Sequence, residues 1–545
     1  MDFVVVGAGS AGAVIANRLS ENPANSVTLL EAGGADWGPM IHVPMGSGEL
    51  MRKGAYGWRL FTEPEPELDG RRVFWPRGKV LGGSSSINGQ VYIRGHRSDY
   101  DQWAQLGNRG WSYAEVLPYF RRSERHADRH DAFHGSDGPM WVARGGLRNP
   151  LFDAFVEAGR QAGYPAADDF NGARQEGFGR LDFTTYRGRR QSTAVAFLRP
   201  AKRRRNLRIV KNARAMRIEI AGGRAVAVEA RVGERIRRFE AAREIVLAAG
   251  VVGSPHILML SGVGDAGHLA EHGIDVRADL PGVGKNLQDH AQVPLFYGCK
   301  LPITLYQLIR IDRAVASMAL ALLLRSGPFA HFPVQGGAFT RSAPHLEAPD
   351  TQWHFGIGLG VRRARLPRVR PSRDPFDRDG YMIAPCLLRP QSRGEIGLAG
   401  SDPLAAPHIR ANYLTAESDR IFLRNAFREA RRIGEQPAFD PYRDGELAPG
   451  RDVRSDDEID AYVRSTFATC HHQVGTCRMG QDPMAVVDDR LRVHGVDRLR
   501  VADASIMPTL TGGNTNAPTM MIAEKAADLI LGREPPEPDP GDAGG

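Results

Sequence analysis

The chain has 545 residues, enough for two or more domain-sized units, with 42% hydrophobic and 25% charged residues, the balance of a globular protein. Its four cysteines (Cys299, Cys386, Cys470 and Cys477) are scattered and form no Cys-x-x-Cys pair, which argues against a disulfide framework and a zinc site. The net charge of +8 gathers partly in Arg203-Arg204-Arg205 and in the stretch Arg362 to Arg378; no zinc-finger spacing or RNA-binding aromatic motif accompanies them, so solvated faces explain the charge and nucleic acid is not an expected partner.

The first apolar run, Phe3 to Val6, is too short for a signal-peptide core and has no basic leader or small-residue cleavage site. The longest later run, Ala314 to Leu324, falls short of the roughly 20 residues that span a bilayer. The expectation is cytoplasmic residence without a transmembrane segment, with peripheral contact at the inner membrane left open.

Phe3 to Val6 reads as a buried strand running into Gly7-Ala8-Gly9-Ser10-Ala11-Gly12. A helix-compatible run from Ala13 to Leu19 follows, then a Ser20-Glu21-Asn22-Pro23 stop, then a strand from Val27 to Leu30 that delivers Glu31. In such a unit Gly7 permits the tight turn, Gly9 lets a pyrophosphate approach the backbone, and Gly12 lets helix and strand pack closely. The helix start offers unpaired N–H groups to phosphate, and Glu31 can accept from ribose hydroxyls. The motif alone does not separate NAD from FAD; its N-terminal position, with Glu31-Ala32-Gly33-Gly34 following, leans toward FAD.

Further along, Arg77-Gly78-Lys79-Val80-Leu81-Gly82-Gly83-Ser84-Ser85-Ser86-Ile87-Asn88-Gly89 reads as a loop with exposed backbone donors, suited to a phosphate or the polar edge of a flavin; a flexible surface loop is the alternative. Glu244 to Gly250 has the pattern of a second buried strand closed by glycine. It is followed by Gly253 to Gly264 and by Leu280-Pro281-Gly282-Val283-Gly284-Lys285-Asn286-Leu287-Gln288-Asp289-His290. Near the C-terminus come His471-His472-Gln473-Val474-Gly475-Thr476, a short strand pattern from Leu499 to Asp503 continuing into Ala504-Ser505, and Asn514-Thr515-Asn516-Ala517-Pro518. Thr519 to Leu531 is helix-like, and Pro535 to Gly545 is Pro/Gly/Asp-rich and expected to be disordered.

These stretches, in this order from residue 3 to about residue 530, strongly resemble the glucose–methanol–choline oxidoreductase family, and within it the choline-dehydrogenase-like bacterial branch. The resemblance implies an α/β fold, α+β overall, in which a Rossmann-like FAD-binding domain is interleaved with a substrate-binding domain containing an antiparallel sheet. The FAD-binding domain would comprise residues 1–150, 205–300 and 495–532, the substrate-binding domain residues 151–204 and 301–494, with 533–545 as a tail. FAD contacts would come from Gly7, Gly9, Ser10, Ala11, Gly12, Glu31 and Ala32 in the first unit. Arg77, Gly82, Gly83, Ser84, Asn88, Gly89 and Val91 would add those of the first signature, and Ala215, Asp503, Ala504, Thr515 and Asn516 the rest. Some members attach FAD covalently through a histidine in the first signature; Ile87 stands there, implying non-covalent FAD, and no metal is implied.

Oxidising an alcohol by hydride transfer needs a base within hydrogen-bond reach of the hydroxyl, and a neutral histidine suits the task. Two adjacent histidines qualify by type. On an extended segment neighbouring side chains point to opposite sides, so one should face the flavin, and the family register selects His472. The same register assigns the second active-site position to Asn516, an amide that can orient the oxygen but cannot act as base. Gln473 replaces the proline that many members carry after the histidine. The implied reaction is oxidation of a primary alcohol to the aldehyde, with electrons passing to a quinone, another carrier or O2. A peroxide-producing alcohol oxidase of aryl-alcohol or hydroxymethylfurfural type is the alternative, and a non-redox flavin lyase a more distant one. An Arg362 to Arg378 stretch at the entrance would favour neutral or anionic alcohols; an exposed loop unrelated to substrate is the competing reading.

Overall fold

The computed structural model describes residues 1–360, 364–366 and 374–541. Most of the stretch Arg362 to Arg378, and with it the expected entrance, lies outside the described residues. Within it, Arg365 donates to the Tyr306 carbonyl (3.2 Å) and Arg378 pairs with Asp444.

Phe3–Val6 is buried at every position, as a strand covered on both faces must be. It pairs in parallel with Val27–Leu30 on one side and Glu244–Leu247 on the other; Leu207–Val210 and Leu499–Val501 extend the two edges. Val6 is in register with both Leu30 and Leu247, so Gly7, Glu31 and Ala248 emerge together at the carboxyl edge. That edge, where the chain departs to opposite sides of the sheet, is the crevice in which doubly wound folds take ligands. The Ser10–Leu19 helix leaves from it and packs against the Asn516–Leu531 helix. The approach of helix to turn is close: a Cβ on Gly12 would lie 1.8 Å from the Gly7 carbonyl oxygen.

A second, eight-stranded sheet runs in the order Arg443–Ala448, Leu295–Cys299, Gly380–Leu387, Thr351–Gly356, Val334–Thr340, Gly177–Arg180, with Ala291–Gln292 and Ala468–Thr469 joined to it. Its pairings are antiparallel. Residues 291–299, expected inside the nucleotide-binding segment 205–300, are strands of this sheet. Leu295 and Tyr297 are buried there, between partner strands on both sides. Cross-strand pairing puts Gln292 and Gln352 opposite Cys386 and puts His354 opposite Ala384, so these side chains share one face, which looks toward the carboxyl edge of the first sheet.

The C-terminal segment was expected to be disordered from Pro535. Its described part instead lies along the protein: the Asp539 amide donates to the Ala114 carbonyl (2.8 Å), its carboxylate pairs with Arg121, and Arg97 donates to the Pro540 carbonyl (2.9 Å). Two arginines more than 400 residues away in sequence supply partners that local composition does not reveal.

Substituting Gly12 by alanine forces a Cβ onto a backbone oxygen and should destabilise the protein by about 1–3 kcal/mol or more. Urea denaturation of Gly12→Ala checks this; a midpoint equal to wild type would contradict the close packing.

Candidate active site

Between the two sheets lies a cavity of about 720 Å³, within the size range of small-molecule and cofactor sites. Gly7, Glu31, Ala32 and Ala215 line one end, while His472, Asn514, Phe332 and Val334 line the other. Of the residues expected to touch cofactor, Gly9, Ser10, Ala11, Arg77, Gly83, Ser84, Asn88, Gly89, Val91, Asp503, Ala504, Thr515 and Asn516 also line it. Gly12 and Gly82 do not: Gly12 packs on Gly7, and the Gly82 amide donates to the Ala8 carbonyl (2.8 Å).

The nucleotide end fits FAD. A Cβ on Gly9 would meet nothing nearer than the Gly83 Cα at 3.9 Å, leaving open space at the start of the Ser10–Leu19 helix, which carries no side-chain cap. Uncapped amide donors facing open space are what a pyrophosphate needs. The Glu31 carboxylate accepts from the Ala8 amide (2.9 Å) and the Gly33 amide (2.7 Å), and burial pushes its pKa up to about 7. Asp503 lines the cavity while accepting from the Gly250 amide (2.8 Å) and the Ser254 hydroxyl (2.6 Å), thereby fixing the start of the Gly250–Leu260 helix. Ile87 is buried and carries no nucleophile for a covalent bond.

At the other end both His471 and His472 line the cavity. The alternation expected of an extended segment does not apply, because His471 adopts a left-handed φ of 64°. The two imidazoles differ in their partners. His471 Nδ1 is buried without a hydrogen-bond partner, while its carbonyl accepts from Arg77 (2.6 Å). His472 Nδ1 lies 2.9 Å from His290 Nδ1, and His290 Nε2 lies 3.1 Å from the Leu388 carbonyl oxygen. A carbonyl can only accept, so His290 carries its proton on Nε2 and its neutral Nδ1 accepts. His472 must then donate from Nδ1, which leaves the lone pair on Nε2. That atom faces the amide of Asn514, 2.9 Å away. Asn514 Oδ1 in turn accepts from Gln352 Nε2 (3.1 Å), which orients the amide with its NH2 toward His472.

Asn516, expected at the second active-site position, lines the cavity but is not the amide hydrogen-bonded to His472. Its side chain accepts from the Ser10 hydroxyl (2.7 Å) at the start of the Asn516–Leu531 helix, so it ties two helix ends together; Asn514, two residues earlier, stands beside His472. Sequence reasoning also missed His290. Its signal was available in the Asn286 to His290 stretch, which resembled the family but suggested no role.

Burial holds the imidazoles of this region neutral. It pushes His290 down to about 3, His471 to about 3 and His354 to about 4, and it holds His472 well below its ordinary value, with the neighbouring histidines and Arg77 adding to the effect. Beneath them the buried Asp289 carboxylate accepts from the His472 amide (2.9 Å), the Tyr413 hydroxyl (2.5 Å), the Gln473 side chain (2.8 Å) and the Thr469 hydroxyl. Gln473, the departure from the family's proline, thus adds a hydrogen bond to the same anchor.

Comparison with known proteins now bears on this geometry. The N-terminal GMC oxidoreductase model matches residues 1–292 and the C-terminal one residues 390–523. The chain belongs to the GMC oxidoreductase family. It is 46% identical over 536 residues to an oxygen-dependent choline dehydrogenase of Brucella suis biovar 1 (strain 1330), covering 98% of this chain and 96% of the relative. It is 47% identical over 537 residues to the protein of the same name from Sinorhizobium medicae (strain WSM419), with the same coverage. Among solved structures it is similar to pyridoxine 4-oxidase from Mesorbium loti, with TM-score 0.87 and 32% identity over 98% of this chain and 99% of that one. It is also similar to formate oxidase from Aspergillus oryzae RIB40, with TM-score 0.89 and 28% identity over 97% and 98%. As a GMC oxidoreductase it is an FAD-dependent enzyme that oxidises an alcohol and hands the electrons to O2 or a carrier. Among the described residues no helix is long and apolar enough to cross a membrane.

Two outcomes follow from this geometry. Gly9→Ala should fold normally yet bind FAD at least ten-fold more weakly, because its Cβ enters the open space above the helix start; the flavin-to-protein absorbance ratio of the purified variant checks this, and full flavin content would contradict it. The buried histidines have folded pKa values below the unfolded value of about 6.5. Their contribution to stability is complete above that pH and is lost as pH falls toward about 4 and then 3. The melting temperature of the holoenzyme should therefore drop between pH 6.5 and 4, more steeply than in a His354→Gln variant; parallel slopes would contradict this.

Proposed function

We propose that His472 is the base that accepts the hydroxyl proton, through Nε2, and that Asn514 holds the alcohol oxygen beside it. The observation that carries this reading is the chain Leu388 carbonyl, His290, His472, Asn514, which leaves His472 Nε2 unprotonated and accepting from the Asn514 amide at the cavity. Bound FAD supplies the hydride acceptor. Without substrate, the Asn514 amide occupies the His472 lone pair; an incoming hydroxyl displaces it, donating to Nε2 while accepting from the amide. An imidazole held neutral by burial is a weak base, so it takes the proton effectively only as the hydride leaves the neighbouring carbon. The second histidine, His471, has no comparable relay and serves the turn.

The substrate we infer is an uncharged primary alcohol. At the reacting end the polar groups beside His472 are the Gln292 amide and the neutral His354, joined at 3.2 Å, and the walls include Phe332, Val334 and Met382. Among the described residues the cavity-lining carboxylates are Glu31 and Asp503, both at the nucleotide part, and Asp289 has its oxygens engaged behind the loop. A quaternary ammonium would have to shed water here with no anion to receive it, close to Arg77. This sets the chain apart from what the names of the choline dehydrogenases suggest. Four free thiols, finally, are consistent with a reducing compartment such as the cytoplasm.

Anaerobic mixing with alcohols, followed by flavin absorbance, tests both parts. His472→Gln should keep its flavin and lose about 10²–10⁴-fold in the rate of flavin reduction. Asn514→Ala should slow reduction more than Asn516→Ala; the reverse order would restore Asn516 to the reacting centre. Neohexyl alcohol, the uncharged carbon isostere of choline, should reduce the flavin at least ten-fold more efficiently than choline itself, and a preference for choline would refute the uncharged-substrate reading.

A further inference from the structure

The run from Ala314 to Leu324, too short to span a bilayer, is apolar on two sides, and only one of them is covered. The Ile311–Ala319 helix and the turn Leu320–Leu324 direct Ala314, Met318 and Ala321 inward, against Val43, Met45 and Phe329. On the other side Val315, Leu323 and Leu324 are 65%, 79% and 68% exposed, and Ile311, Leu320 and Leu322 are exposed beside them. Ile311, Val315 and Leu322 recur at the spacing of one helix face. Leu366 joins the same patch, held there by the hydrogen bond from the Ile311 amide to the Arg365 carbonyl (2.8 Å), and is likewise exposed. A helix apolar all round is ordinarily buried, and contiguous apolar side chains in water mark an interaction surface.

Among the described residues, positive charge outnumbers negative around this patch. Asp312 is the only acid between Leu305 and Arg325, and Arg310 engages both its oxygens at 2.7 Å. Arg313 and Arg325 have no acidic partner within that segment. The turn Arg187-Gly188-Arg189 closes against the Arg325 backbone: a Cβ on Gly188 would lie 2.2 Å from the Arg325 carbonyl oxygen. Arg313 and Arg325 thus lie in the same segment as the exposed leucines, and the turn carrying Arg187 and Arg189 adjoins the Arg325 backbone. Burial together with the nearby Arg325 and Arg199 charges lowers the Arg189 pKa, as expected where cations gather without enough anions.

We propose that this surface seats the protein on an anionic lipid bilayer, with Ile311, Val315, Leu322, Leu323, Leu324 and Leu366 entering the headgroup–acyl boundary and the flanking arginines meeting lipid phosphates. Apolar side chains ringed by cations are the composition of interfacial segments, which lie in a membrane surface without crossing it. The protrusion also adjoins the reacting end of the cavity in sequence, because Phe332, eight residues after Leu324, lines that end. The inference rests on the exposed surface and not on the alcohol-oxidising chemistry.

Flotation of the full-chain holoenzyme with vesicles tests it. Vesicles of phosphatidylcholine with a third phosphatidylglycerol should carry at least ten-fold more protein than pure phosphatidylcholine, and high salt should weaken the binding. The double variant Leu323→Glu, Leu324→Glu should lose at least ten-fold in binding at unchanged flavin content and melting temperature, and Arg187→Glu, Arg325→Glu should lose the preference for the anionic lipid. Equal binding to both vesicles, or unaltered binding of the leucine variant, overturns the proposal. It is equally overturned if light scattering shows a wild-type dimer that the leucine variant converts to monomer, since the surface would then belong to a second copy of the chain.

Discussion

The Asp289 carboxylate, buried beneath the His471-His472 turn, gathers the His472 amide, two hydroxyls and the Gln473 side chain onto its two oxygens. Burial raises its pKa, and the Thr469 and Tyr413 hydroxyls, the nearby Arg77 charge and the His472 amide work against that rise. Removing one partner of such a buried hydrogen-bonded group typically costs about 1–3 kcal/mol. The bonds hold the backbone where His471 turns left-handed, and that turn decides where His472 presents its ring. Asp289 is followed by His290, so the residue that anchors the loop and the residue that sets its tautomer are neighbours on one segment. Ala291–Gln292 then pairs with Ala468–Thr469, locking the two segments together.

From this anchor the division of labour between the sheets follows. The parallel sheet brings Gly7, Glu31 and Ala248 to one edge and presents an uncapped helix start to phosphate. The antiparallel sheet supplies a face carrying Gln292, Gln352 and His354. Gln352 orients Asn514, and Asn514 meets His472. Charge is thereby segregated among the described residues: the lining carboxylates, Glu31 and Asp503, lie toward the parallel sheet, while His472 is surrounded by neutral amides and imidazoles with the Arg77 cation nearby.

Much of this was legible in the sequence wherever function depends on local order. The strand, turn and helix from Phe3 to Leu19, the second strand ending in Glu31, and the strand from Glu244 each form within a few residues of where the pattern places them. Long-range partners were not legible. Asn514 and Asn516 have the same chemistry and lie two residues apart; only the start of a helix at Asn516, and the Ser10 hydroxyl waiting there, separates their hydrogen-bond partners. His290 required knowing that residues 291–299 join the second sheet. The tail from Pro535 looked featureless because its partners, Arg97 and Arg121, lie far away in sequence.

The Leu388 carbonyl and His290 force the His472 proton onto Nδ1 and leave Nε2 unprotonated. Nitrogen NMR of holoenzyme carrying labelled histidine, with the His472 signals assigned by comparison with His472→Gln, reads this directly at neutral pH. A protonated Nδ1 and an unprotonated Nε2 are expected for His472, both lost to the opposite or a mixed tautomer in a His290→Phe variant. A proton on Nε2 in the wild-type protein would contradict the role of His472 as base, because that nitrogen could not then accept one from an alcohol.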